Sequence, residues 1–258
     1  MVDKPVFLTK TEQELPGVSV ESLRKAIEEL AERYGILNLQ IAESCSYSMA
    51  MVVRFALGLS AQDGQVCVFA ADNLCGQIAL ATLRQLVNAG AKGLVFMCCD
   101  PDKASADTLQ QLKPLKAAEV NISPLSSLES ASQLEDIIPS CHNVLLGLFD
   151  PIRHELEEFS PAVPVLNELS TPVHSVQCSY GVNPDTGKPC GEAIFSSSTI
   201  SLGAPLQGLY YGDNYTGRHY LADISFSSAI YRTLGIEGPA LFSEQPVIQI
   251  FPKKPEEE

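Results

Sequence analysis

The apolar positions of this chain follow two periods. Over Val20–Tyr34 they recur every three to four residues, so that Leu23, Ala26, Ile27, Leu30 and Tyr34 share one stripe. Ser19 can cap this predicted helix and Gly35 can end it. A second helix is predicted over Leu37–Leu57, with a polar turn at Glu43–Ser48 that can face a cleft. After Asp63–Gly64 the texture changes. Val66–Ala71 and Gly93–Cys98 are continuous apolar runs, as expected of strands covered on both faces. Between them lie a short loop, Ala71–Gly76, and helical spacing over Gln77–Asn88 at Leu80, Leu83 and Val87, which Gly90 stops. Further helices are predicted around Ser105–Leu112 and Leu134–Ile138. Strands are predicted at Val144–Phe149 and Pro172–Val176, with a polar stretch at Arg153–Phe159 between them. Thr199–Gly203 and His219–Ile224 read as strands and Ser227–Leu234 as a closing helix. Strand, helix and strand in repetition predict an α/β fold with a mostly parallel sheet. No repeat or composition shift divides the 258 residues, so one domain over residues 1–251 is expected, followed by a solvated acidic tail, Pro252–Glu258.

Charge narrows the function classes. A formal net charge of −14 repels phosphate backbones and anionic lipid, which argues against bulk nucleic-acid binding and against a membrane surface. The longest apolar run, Gly93–Cys99, is too short to span a bilayer. The opening MVDKPVFLTK has no apolar core of a secretion signal, so a cytoplasmic protein is expected and the Asn121 and Asn214 glycosylation patterns are read as chance. Eight scattered cysteines include no C-x-x-C pair, so reduced thiols, mostly in the core, are expected and no metal site.

Open parallel sheets bind ligands beyond the carboxyl ends of their strands. The loop after Val66–Ala71 is one such place, where free N–H groups at a helix start attract anions. A phosphate-binding loop there needs glycines, and only Gly76 is present. Asp72 or Asn73 can instead cap the helix and fill the anion position. The turn Gln177–Lys188 is a second edge, rich in turn formers at Gly181 and Asn183–Gly187. A P-loop reading fails there, because the spacing from Gly181 to Gly187 is one residue too long and Pro189 replaces the needed hydroxyl.

Three segments in this order carry a resemblance: ADNLCG at Ala71–Gly76, TPVHSVQCSYGVNPDTGKP at Thr171–Pro189, and STISLGAPLQGLYYGDNYTGRHYLADIS at Ser198–Ser225. Together with ESLRKAIEELAERYGILNLQIAESC near the N-terminus, they make the chain similar to the YjeF N-terminal (NAD(P)H-hydrate epimerase) family. Thr199, Gly203, Pro205, Gly217 and Asp223–Ile224 are its most specific matches. The resemblance implies a Rossmann-like three-layer α/β/α sandwich, often a homodimer. It also implies an NAD(P)-like ligand, a monovalent cation and an aspartate that moves a proton. The family's N-N-G-G-D-G loop falls on Asn73, Leu74, Cys75, Gly76, Gln77 and Ile78. One cation-binding Asn is replaced by Leu74 and the loop Asp by Gln77. A second cation-binding Asp falls on Gly147, and the catalytic Asp falls on Gln177. An amide cannot exchange a proton near neutral pH. The resemblance therefore implies a lost cation and no catalytic residue among these positions. Asn73, Gly76, Gln77, Asp150, Gln177 and Gly181 remain as ligand-binding candidates.

Three functions follow. The first is a catalytically impaired family domain that binds a nucleotide-type ligand or dimerises. The second is an active, divergent epimerase using other residues, for which Arg153–His154–Glu155 can stand in, while Asp150 reads as a turn residue before Pro151 or as a cleft-lining one. The third is a protein-interaction domain like the branch found in the mRNA-decapping scaffold, to which GRHYLADIS is similar. His142, His154, His174 and His219 are read as structural or surface residues, with His174 closest to the site because its strand leads to Gln177. Tyr210 and Tyr211 are read as packing or interface residues. Cys75 and Cys178 stand at site positions with no assigned role.

Overall fold

The computed structural model describes residues 5–59, 64–128, 132–150, 162–238 and 240–254. Parallel strands β3 (Gln65–Ala70), β4 (Lys92–Met97), β5 (Asn121–Pro124), β6 (Asn143–Gly147), β7 (Val173–Val176), β8 (Ser198–Leu202) and β9 (Arg218–Ala222) form most of the sheet. Three antiparallel strands extend it: β10 (Val247–Pro252) beside β9, then β1 (Val6–Thr9) and β2 (Glu14–Pro16). The order is β2-β1-β10-β9-β8-β7-β6-β3-β4-β5.

Alternation along β3 divides the core. Val66, Val68 and Ala70 join α1 (Val20–Tyr34), α2 (Asn38–Met51), α3 (Leu74–Asn88), α4 (Ala106–Ala117) and α9 (Ser228–Thr233) on one face. Cys67 and Phe69 join α5 (Ser132–Ile137) and α6 (Val163–Glu168) on the other. Phe69 and Phe96 stack there with centroids 5.4 Å apart. The expected three-layer sandwich is therefore present, and the continuous apolar runs are its doubly covered strands. Gly35 ends α1 at φ 69°, and Ser19 Oγ accepts the Ser22 N–H at its start. Helix α2 runs into a π-helical turn, Val52–Ala56.

Several elements differ from expectation. Helix α3 starts at Leu74 rather than Gln77, because Asn73 caps it. Helix α4 continues to Ala117 through Pro114, which lies in its last turns. Strand β5 carries the Asn121 glycosylation pattern as an edge strand. Strands β1, β2 and β10 and helix α6 were not expected, nor were the short turns α7 (Gly208–Tyr211) and α8 (Asp213–Thr216). The expected tail boundary also moves. Pro252 pairs with Phe7, and Lys253 N–H donates to Val6 O at 2.8 Å. Residues 255–258 and the whole polar stretch Arg153–Phe159, with Arg153–His154–Glu155, lie outside the described residues.

The chain leaves β3 toward β4 and β5, then returns to place β6 on the other side of β3. In open α/β sheets, ligands are expected at such a reversal, beyond the carboxyl ends of β3 and β6. Asn73 follows β3, Asp150 follows β6 and Gln177 follows β7, so the topology gathers all three at one edge.

Candidate functional site

At the start of α3 the backbone is closely packed. Asn73 Oδ1 accepts the Gly76 N–H at 2.9 Å, and Asn73 Nδ2 donates to Leu148 O at 3.3 Å. Asn73 is thus an N-cap tied to the end of β6. A Cβ at Gly76 would lie 1.9 Å from Ala71 O, and one at Gly147 would lie 2.3 Å from Cys75 O. Both glycines are required because loop, helix and strand meet backbone to backbone. Position 147 consequently has no room for an aspartate side chain. Leu74, Cys75, Gln77 and Ile78 are all buried, so the first turn of α3 is covered by its own side chains.

Asp72 does not cap α3. It accepts the Ser105 N–H at 2.8 Å and the Ser105 hydroxyl at 2.6 Å, placing a carboxylate at the start of α4, where the helix dipole favours it. Gln77 Nε2 donates to Thr108 Oγ1 at 3.3 Å, while Gln77 Oε1 meets no donor among the described residues. The Ser105-x-x-Thr108 spacing, typical of a helix start, was the available signal for this second partner set.

Gln177 is wholly buried at φ 67°, in the left-handed region that non-glycine residues seldom occupy. Its N–H donates to Ile200 O at 2.8 Å, and its Oε1 accepts the Leu202 N–H at 2.8 Å. Its Nε2 has no acceptor among the described residues. The side chain therefore ties β7 to the end of β8. Ser179 Oγ donates to Tyr215 O at 2.6 Å and meets Ser196 Oγ at 2.7 Å. Gly181 sits at φ 78° with Glu192 O 2.1 Å from where its Cβ would be, which makes it a turn requirement. Asn183 Oδ1 accepts the Asp185 and Thr186 N–H groups, and Asp185 Oδ1 accepts the Val20 N–H at 2.9 Å. The second turn thus docks on the start of α1.

Asp150 is buried within electrostatic reach of Cys75, as are Cys45 and Cys178. Burial raises all three thiols, Cys178 to about 12, so at this edge they are protonated and not nucleophilic. Glu43 pairs with Arg84 at 2.5 Å and accepts from Gln111 Nε2 at 3.3 Å, beside a cleft of about 590 Å³ that Lys113 and Pro114 also line. Ser44 instead donates to Asp223 O at 3.0 Å. His174 lies inside the sheet, with Nδ1 2.8 Å from Ser198 Oγ and Nε2 2.5 Å from Asn143 Oδ1. Burial lowers it to about 4, and lowers His219 to about 3.

A family model described as YjeF-related protein N-terminus matches residues 28–208. The chain belongs to that family. Among curated relatives, an NAD(P)H-hydrate epimerase of Dehalogenimonas lykanthroporepellens is 28% identical, over 90% of this chain and 91% of its own length. A bifunctional NAD(P)H-hydrate repair enzyme Nnr of Thermofilum pendens is 26% identical over 82% of this chain. The aligned part is 40% of that bifunctional relative's length. The crystal structure of the yeast protein YNL200c superposes with a TM-score of 0.78 at 20% identity, covering 91% of this chain and 100% of that one. The YjeF-related fold is thus present with a low-identity sequence laid over it. Among the described residues, no helix is long and apolar enough to cross a membrane.

Proposed function

We propose that this YjeF-related domain has lost the proton-transfer step of hydrate epimerisation and works as a module that binds a nucleotide-type ligand or dimerises. The observation that carries the reading is Gln177. An amide stands where the family resemblance calls for an aspartate, it is wholly buried, and its oxygen is already taken by the Leu202 N–H. A general acid or base contributes about 10²–10⁴-fold in rate, and an amide contributes none of it. The covered start of α3 and the lack of space at Gly147 support loss of the cation as well. Relatives named for hydrate repair make hydrated NAD(P)H the substrate to test.

The buried Asp150 at the same edge favours a second reading, in which another carboxylate keeps some activity. One experiment separates the two. Incubate the protein with a single epimer of hydrated NADH and follow loss of stereochemical purity by NMR. The spontaneous rate is expected. Turnover well above that rate, removed by Asp150→Asn, would establish the second reading. Thermal shift with NADP, AMP or ADP-ribose tests binding without turnover, and light scattering at low concentration tests the dimer.

A further inference from the structure

We infer that the outer face of α2 is the contact between two copies of this chain, packed antiparallel about a two-fold axis near Ser48. The inference rests on the dimerising part of the function proposed above and names the surface that serves it. Helix α2 is apolar on both sides. Ile41, Ala42, Cys45 and Met49 fill its inner face. On the outer face Tyr47, partly buried Met51 and Phe55 recur every four residues, and Tyr47 is 53% and Phe55 66% exposed. Phe55 belongs to the π-helical turn Val52–Ala56, which Leu57 N–H closes on Val52 O at 3.0 Å. A helix lying on the surface of a monomer keeps this face polar. A stripe of aromatic residues and methionine is instead the composition of an interface centre.

The two ends of the stripe complement each other. At the start of α2, Leu39 and Glu43 line the cleft of about 590 Å³ that Arg84, Gln111 and Pro114 help to enclose, a size that takes a small organic group. At the far end Phe55 presents its ring, with the Arg54 guanidinium 4.8 Å above it. Arg54 has no carboxylate partner among the described residues, while Glu43 keeps 49% of its side chain exposed beside Arg84. Turning one copy end for end sets Tyr47 against the partner's Met51. It also brings Phe55 to the partner's cleft and Arg54 within reach of the partner's Glu43. The same contacts repeat with the two chains exchanged, so the assembly closes at two copies. Charge decides the occupant. At a net charge of −14 most faces of this chain repel their own kind. This face has an uncharged centre with a cation at one end and a carboxylate at the other. A uniformly acidic or basic partner meets one of those charges with its own sign, and a second antiparallel copy meets both with the opposite sign.

Light scattering and sedimentation of the full chain at micromolar concentration provide the test. The wild-type protein should have the mass of two chains. Phe55→Asp, at an exposed position, should raise the dissociation constant at least about 100-fold, since each dimer loses two anchors. Arg54→Glu should raise it about tenfold, and adding Glu43→Lys should recover most of that loss, because the charge pair is then reversed rather than removed. A dimer as tight in Phe55→Asp and Arg54→Glu as in wild type would overturn this surface and leave dimerisation itself standing. A monomeric wild-type protein would overturn both. A loss in Arg54→Glu that Glu43→Lys deepens would overturn the antiparallel pairing. Circular dichroism checks that each variant is folded. Should Phe55→Asp fail to fold, Tyr47→Asp takes its place with the same expected loss.

Discussion

Gln177 combines three costs at one position: a left-handed backbone, complete burial and an amide nitrogen without a partner among the described residues. The left-handed backbone alone costs about 1 kcal/mol. What offsets them is the bond from Leu202 N–H, which ends β8 without an orphaned donor. Gln177→Glu keeps that acceptor but puts an ionisable acid in a dry place. Burial raises the folded-state pKa of such an acid. The variant's stability should then match wild type at about pH 4 and fall as pH rises past the carboxyl's ordinary value near 4.3. Urea midpoints at several pH values would measure this, and a flat difference would mean that water reaches position 177. The buried histidines act with the opposite sign. In the folded state His174 and His219 take protons at about 4 and about 3, against 6.5 when unfolded. Their contribution is complete above pH 6.5 and is lost as pH falls toward 4, on the order of 3 kcal/mol for each. His174→Gln should flatten part of that slope in urea titrations between pH 7 and 4. An unchanged slope would show that His174 is not buried uncharged.

At the scale of elements, the start of α3 meets the ends of β3 and β6 through Gly76 and Gly147, and the start of α4 joins this edge through Asp72 and Gln77. Gly76→Ala should destabilise by more than about 3 kcal/mol, because its Cβ would lie 1.9 Å from Ala71 O, a backbone atom that cannot step aside. Asp72→Ala should cost about 1–2 kcal/mol by removing the acceptor of Ser105 at the start of α4. Chemical denaturation measures both, and Asp72→Ala should be the milder. Much of this was legible beforehand. The loop after β3 and the amide at 177 could be read because buried parallel strands have an unmistakable apolar texture and the motifs kept their order. The choice between Asp72 and Asn73 as cap could not, since both suit that role and only the packing of α4 decides. The demand for glycine at 147 was equally hidden, because it arises from Cys75 O on another element. Strands β1 and β2 were missed because they are only four and three residues long, and β10 because its partner β1 lies at the other end of the chain.

On the scale of the molecule, those late strands connect the chain's two ends to its centre. Strand β10 lies between β9 and the β1–β2 hairpin, so the hairpin reaches the parallel sheet through it. Phe7 and Leu15 of the hairpin are wholly buried, and Phe7 meets His219 of β9 edge to face at 5.2 Å. Lys253 adds a bond to Val6 O, accepts from the Tyr210 hydroxyl at 2.6 Å and pairs with Glu14 at 2.5 Å. Cutting the chain after Gln245 would leave β9 with an unpaired edge and uncover two large apolar side chains that each contribute about 2 kcal/mol. At roughly 2–4 °C per kcal/mol for a chain of this size, with the lost strand pairing added, Tm should fall by more than about 10 °C. Removing only residues 255–258 should leave Tm within about 1 °C, since it spares the β1–β10 ladder and the Lys253 bond to Val6 O. Thermal unfolding of the two truncations side by side makes the comparison. Equal melting temperatures would mean that the antiparallel strands decorate the sheet without supporting it, and the stabilising unit would then end at β9.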